Sequence, residues 1–114
     1  MEKPVNDNIS NISNLLHSVE EIESYIITDI EGRIHKASSE NYNENTINSC
    51  IYIWVVGGQL GNKFNMGEPV NLIYYLKTKK VLIQKYKDYL IILNLTKVTK
   101  FSAFKKKLYD LFNK

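Results

Sequence analysis

Apolar residues at Ile9, Ile12, Leu15, Leu16 and Val19 recur three and four positions apart, the spacing of one helix face. The pattern predicts a first helix that closes near Val19 to Glu21, with Asn8 available to cap its start. Ahead of it, 1–8 holds a proline and polar turn formers without periodicity and reads as a flexible arm, leaving 9–114 as a single domain. Tyr25 to Thr28 is β-branched and aromatic, Asp29 to Gly32 carries turn chemistry, and Arg33 to Ser38 alternates again through Ile34. Together these stretches predict a β-hairpin. Gly32 suits the positive φ of such a turn, and the Asp29 carboxylate can accept hydrogen bonds from its own backbone.

After a polar loop, Asn43 or Asn45 can cap a second helix that runs to about Leu60. At about 100° per residue, Ile47, Ile51, Trp54, Val55 and Gly58 fall on one side and Ile53, Val56 and Leu60 on the other. Both broad faces are apolar. One can lie on the domain's own sheet, but so short a chain has little left to cover the second, and an uncovered apolar strip marks an interaction surface. Gly57 and Gly58 cost helix propensity, so the pattern points to a close helix contact at Gly57, while Gly61 reads as the end of the helix.

Three strand-like runs follow, Val70 to Leu76, Lys80 to Lys85 and Tyr89 to Leu95, joined by hairpin-length links. They predict an antiparallel meander. The last run, YLIILNL, is apolar on successive residues, as a central strand covered on both faces would be. From about Lys100 to Phe112, Phe101, Phe104, Leu108, Leu111 and Phe112 share one side of a third helix.

With 114 residues the chain fits one core, and an apolar fraction of 44% places it among globular domains. It has no run of about 18 apolar residues and no charged-then-apolar leader pattern, so the expected location is cytoplasmic. The single cysteine, Cys50, has no partner for an internal disulfide and reads as a core thiol. Charge is segregated: Met1 to Glu68 carries four basic and ten acidic residues, and Pro69 to Lys114 eleven basic and two acidic. Such a dipolar chain can steer an acidic partner, an anionic membrane or a nucleic acid, or can simply present a solvated lysine face.

The order is helix, hairpin, helix, three-stranded meander, helix: a three-layer α/β domain whose five-stranded antiparallel sheet has one helix on one face and the two terminal helices on the other. In that order, SYIITDIEGRIHKAS, the second helix ending in GGQLGNKF, and NLIYYLKTKKVLIQKYKDYLIILNL resemble the roadblock (dynein light chain) family, from about Ile9 to Phe112. The resemblance implies a homodimer, or a heterodimer with a related roadblock subunit, with second helices packed antiparallel and third strands joining two sheets. It also implies a non-catalytic scaffold similar to adaptors of dynein, of lysosomal GTPase-anchoring complexes and of bacterial polarity systems, where a roadblock dimer binds a Ras-like small GTPase. Tyr52, Ile53 and Trp54 make this second helix bulkier than the small-residue versions of the family. The expected dimer or partner interface is Ile53, Trp54, Val56, Gly57 and Leu60 with Val70, Leu72 and Tyr74.

Catalytic chemistry has little to stand on. His17 and His35 are far in sequence from Cys50, no Cys or His pair has metal-ligand spacing, and no G-x-S-x-G elbow is present. WVVGGQLGNKF lacks the Lys-Ser/Thr ending of a phosphate loop and lies late in a helix. No catalytic site, metal or cofactor is therefore expected. Glu20, Glu21 and Glu23 read as solvated surface, and Arg33, the only arginine, reads as surface rather than as a finger for a GTPase. Two other readings stay open. One is an anionic-surface or nucleic-acid binder using Lys77, Lys79, Lys80, Lys85, Lys87, Lys97, Lys100 and Lys105 to Lys107, although Tyr74 and Tyr75 alternate across the strand and arginine is scarce. The other is a small-ligand sensor of profilin-like or PAS-like architecture.

Overall fold

The computed structural model describes residues 7–39, 42, 44–67, 71–75, 80–96 and 101–112. In chain order the elements are α1 (Asp7–His17), β1 (Ile22–Asp29), β2 (Ile34–Ala37), α2 (Glu44–Lys63), β3 (Asn71–Tyr75), β4 (Lys80–Tyr86), β5 (Tyr89–Leu95) and α3 (Phe101–Phe112). The strands form one antiparallel sheet in the order β2-β1-β5-β4-β3.

Alternation along β5 builds both cores at once. Ile91, Leu93 and Leu95 meet Ile12 and Leu16 of α1 and Phe104, Leu108 and Leu111 of α3. Leu90 and Ile92 face the other way, with Ile47 and Cys50 of α2 and with Ile26, Val81 and Ile83. A strand at the centre of three layers has no solvent side, which is why its sequence shows no polar alternation. The α/β architecture is the one the sequence predicts, with α2 on one face and the terminal helices on the other.

The first hairpin closes through Asp29, whose Oδ1 accepts from the Glu31 and Arg33 amides at 2.9 and 3.0 Å, while Gly32 sits at φ 93°. The boundaries of two helices differ from expectation. α1 begins at Asp7, so Asn8 lies within the helix, and it ends at His17, where the Leu15 carbonyl accepts from the Ser18 amide and hydroxyl. Of the expected N-terminal arm, 1–6 lies outside the described residues. Asn45 is inside α2, and Asn43 lies outside the described residues.

The second helix runs through Gly61 to Lys63. The chain reverses later, at Asn65 (φ 57°) and Gly67 (φ 82°), with the Met66 amide donating to the Gly61 carbonyl at 2.7 Å. Gly61 is required there because a Cβ would run into the carbonyl oxygen of Gly67. Val70, Leu76, Lys77, Lys79, Lys97 and Lys100 lie outside the described residues.

Candidate functional site: the outer face of α2 and the edge of β3

Inward, α2 presents Ile47 and Cys50, both buried, with Ile51, Ile53 and Trp54 packed around them on the sheet. The helix crosses the sheet obliquely. At its start, the missing Cβ of Gly32 in the first hairpin points toward Asn48 and Ile51; toward its end, a Cβ on Gly57 would stand 2.9 Å from Leu72 Cδ1 in β3. Gly57 thus lets α2 settle onto the chain's own β3. The expected split of faces is revised at two positions. Ile53 joins the inner core, and Val55 is turned outward, because Cys50 and Gly57, not the bulkiest side chains, mark where the helix comes closest to the sheet.

Outward, Tyr52 is 70% exposed, Val55 49% and Leu60 51%, and just past the helix Phe64 is 65% and Met66 80% exposed. Val56 is half-buried between the two sides. Five large apolar residues along one helix and its following turn make an uncovered strip of the kind that binds proteins. Tyr52, Val55, Phe64 and Met66 are absent from the sequence-predicted set. The signal for Tyr52 and Val55 was their offset from Cys50, which fixes the inner side.

The neighbouring strand edge reinforces this surface. β3 is terminal in the sheet, and Asn71–Tyr75 contains no charged residue. At the other end, β2 is four residues long, carries His35 and Lys36, and pairs with β1 across a register shift between Ile27 and Thr28. Short length, charge and irregular register protect an edge from further pairing, and β3 has none of these among its described residues. Leu72 is half-buried beneath α2, and Tyr74 pairs with Val81 in the β3–β4 ladder. The side chain of Tyr74 lies outside the described residues, as does Val70.

Other candidate residues are held in local structure. Arg33 Nε donates to Asp29 Oδ2 at 2.7 Å and its terminal nitrogen is 3.3 Å from Glu31, so the arginine braces its own turn. Burial pushes the Asp29 carboxyl up, but the Arg33 amide and guanidinium and the Glu31 amide outweigh it and bring it down to about 2. His35 lies 3.4 Å from the same carboxylate and edge-on to Tyr89. Glu21, expected as plain surface, accepts from Lys107 Nζ of α3 at 2.7 Å, and this bond holds its carboxyl below the ordinary range. His17 Nε2 is 2.9 Å from the Tyr25 hydroxyl, which also bonds Ser13, so this trio pins α1 to β1.

Cys50 is fully buried. Among the described residues, no three His, Cys, Asp or Glu side chains converge as a metal site would require. The lysines do not share one surface: Lys85 follows Val81 and Ile83 on the α2 side of the sheet, whereas Lys105 and Lys106 are exposed on α3, across the sheet. No helix among the described residues is long and apolar enough to cross a membrane.

No protein-family sequence model matches the chain, and no curated protein matches it in sequence. Solved structures do match its shape. A roadblock/LC7 domain from Streptomyces avermitilis aligns with TM-score 0.75 at 10% identity, over 91% of this chain and 90% of its own. Myxococcus xanthus MglB aligns with TM-score 0.79 at 8% identity, over 97% and 93%. Schizosaccharomyces pombe profilin aligns with TM-score 0.67 at 13% identity, over 91% and 92%. Element order, a five-stranded antiparallel sheet with three helices and near-complete coverage agree with the resemblance read from the residues, and the chain has the fold of a roadblock domain.

Proposed function

We propose that this chain is a non-catalytic adaptor that self-associates through the outer face of α2 and the β3 edge, and that the paired surface binds and regulates a protein partner, a Ras-like small GTPase being the class the roadblock resemblance suggests. The observation that carries the reading is the uncovered strip of Tyr52, Val55 and Leu60 beside an uncharged terminal strand. Burying such a strip removes apolar surface from water at about 25 cal/mol per Å², and an added strand satisfies the open edge of β3. From the sequence-predicted set, Val56 and Leu60 belong to this surface and the backbone of Tyr74 runs along the β3 edge, while Ile53, Trp54, Gly57 and Leu72 set the position of the helix that carries it. One MglB structure is described as having a tetrameric arrangement, which accords with self-association in this fold.

The test places a charge on the strip. Tyr52→Glu and Val56→Glu are expected to give folded monomers, by circular dichroism and light scattering, that no longer retain a GTPase captured by the wild-type chain. A dimer retained in both variants would put the interface elsewhere. Capture by the wild type of anionic vesicles or single-stranded DNA, with no GTPase, would favour the lysine surface instead.

A further inference from the structure

Between the first hairpin and the start of α2 lies a cavity of about 410 Å³, lined by Gly32, Ile34, Tyr42, Glu44, Ile47 and Asn48. Its chemistry is one-sided. Ile34 and Ile47 supply apolar wall, Tyr42 an aromatic ring, and Glu44 and Asn48 a carboxylate and an amide one helical turn apart on α2. A Cβ on Gly32 would stand 3.9 Å from Asn48 Oδ1, so this acceptor faces the hairpin across a gap that the glycine keeps open. Thr28, the ladder partner of Ile34, faces the same side of the sheet, and its fully buried hydroxyl has no hydrogen-bond partner among the described residues. Buried hydroxyls are seldom left so. Among the described residues no lysine, arginine or histidine lines the cavity, and Arg33 in the adjoining turn is already held by Asp29 and Glu31. We infer that this cavity receives the guanidinium of an arginine side chain presented by a protein partner.

Each lining group has a part in such a contact. A guanidinium is planar and always charged; it stacks on an aromatic face such as that of Tyr42, and its fork of N–H groups donates in pairs to a carboxylate. Glu44 supplies that carboxylate, the Asn48 carbonyl can accept a further N–H, and Ile34 and Ile47 can cover the methylene stem. An anion is the wrong ligand although the cavity lies at a helix N-terminus, because Glu44 occupies the first turn and already answers the helix dipole. Lysine fits less well, its compact ammonium having neither a plane to stack nor a fork. The source follows from exposure and from sequence. Tyr42 is 39% exposed, and Glu44 and Asn48 are exposed too, so the cavity opens to solvent on one side, whereas a small metabolite binds where most of its surface is enclosed. A second copy cannot supply the group, since the chain's one arginine, Arg33, is braced in its own turn. The partner is therefore a different protein, and the contact requires no self-association through Tyr52, Val55 and Leu60.

The test is an NMR titration of the isotope-labelled chain with a capped peptide of glycines around one arginine, and with the same peptide carrying citrulline, which keeps the shape and lacks the charge. The arginine peptide is expected to shift the Gly32, Glu44 and Asn48 amide signals with a Kd of about 1 mM, the scale of a single side chain, and the citrulline peptide to leave them in place. Glu44→Gln should weaken binding about tenfold through the lost charge-assisted pair, with signal dispersion in the same spectra reporting that the variant is folded. Glu31→Gln, in the adjoining turn but outside the cavity, should leave the affinity unchanged; an equal loss there would reduce the effect to a diffuse negative field and overturn the site. Signals unmoved by the arginine peptide, or moved equally by the citrulline peptide, would overturn the guanidinium. Tighter binding of agmatine, the same guanidinium on a free chain, would assign the cavity to a small metabolite and overturn the protein source.

Discussion

Gly57, Gly58 and Gly61 lie on the inner half of α2, yet each meets different surroundings. Nothing stands within 4 Å of where a Cβ on Gly58 would be, whereas Gly61 is closed off by the Gly67 backbone. Helix propensity therefore decides the first and sterics the second. Gly58→Ala is expected to stabilise the fold by about 1 kcal/mol. Gly61→Ala is expected to destabilise it by about 1–3 kcal/mol, since backbone must shift to admit the methyl. Chemical denaturation of both variants checks the pair, and equal effects would contradict the packing described. At Asp29 the test is pH. A carboxyl lowered in the folded state from 3.8 to about 2 contributes stability that is present above pH 3.8 and is lost as the pH falls through about 2. Asp29→Asn should flatten that acid limb, and an unchanged limb in urea melts from pH 5 to 2 would show that the turn carries no such linkage.

Among the elements, the most legible are those whose apolar spacing answers to a single neighbour. The stripe Ile12, Leu16 of α1 and Phe104, Leu108, Leu111 of α3 read directly as helix faces, because each helix lies on one sheet face with solvent behind it. The continuous run in β5 was legible for the opposite reason, having protein on both sides. α2 was harder: its length, the role of Gly61 and the exchange of Ile53 and Val55 depend on how closely it approaches β3 and the reversing loop, which no local pattern encodes. The Glu21–Lys107 contact, between residues 86 positions apart, has no sequence signal at all. As the largest side chain buried between α3 and the sheet, Phe104 should hold this layer in place. Phe104→Ala is expected to cost about 3–5 kcal/mol, and a loss below 1 kcal/mol in guanidinium melts would mean that α3 is dispensable.

For the molecule as a whole, the candidate site is the surface its three layers leave uncovered. The sheet is sandwiched between α1 and α3 on one side and α2 on the other, and among the described residues five of the exposed large apolar side chains lie along the outer side of α2 and the turn after it, beside the β3 edge. The sequence leads one to expect an interface on this helix and strand, because a short chain cannot cover an additional apolar face. The exposure of Tyr52 and Val55 was not legible in it, because the outward direction of α2 is fixed by its packing. The measurement that tests the account most directly is the solution mass of the 13.3 kDa chain by light scattering across a dilution series. A mass about twice that value, persisting to low micromolar concentration, is the predicted result; a monomer at every concentration would contradict it.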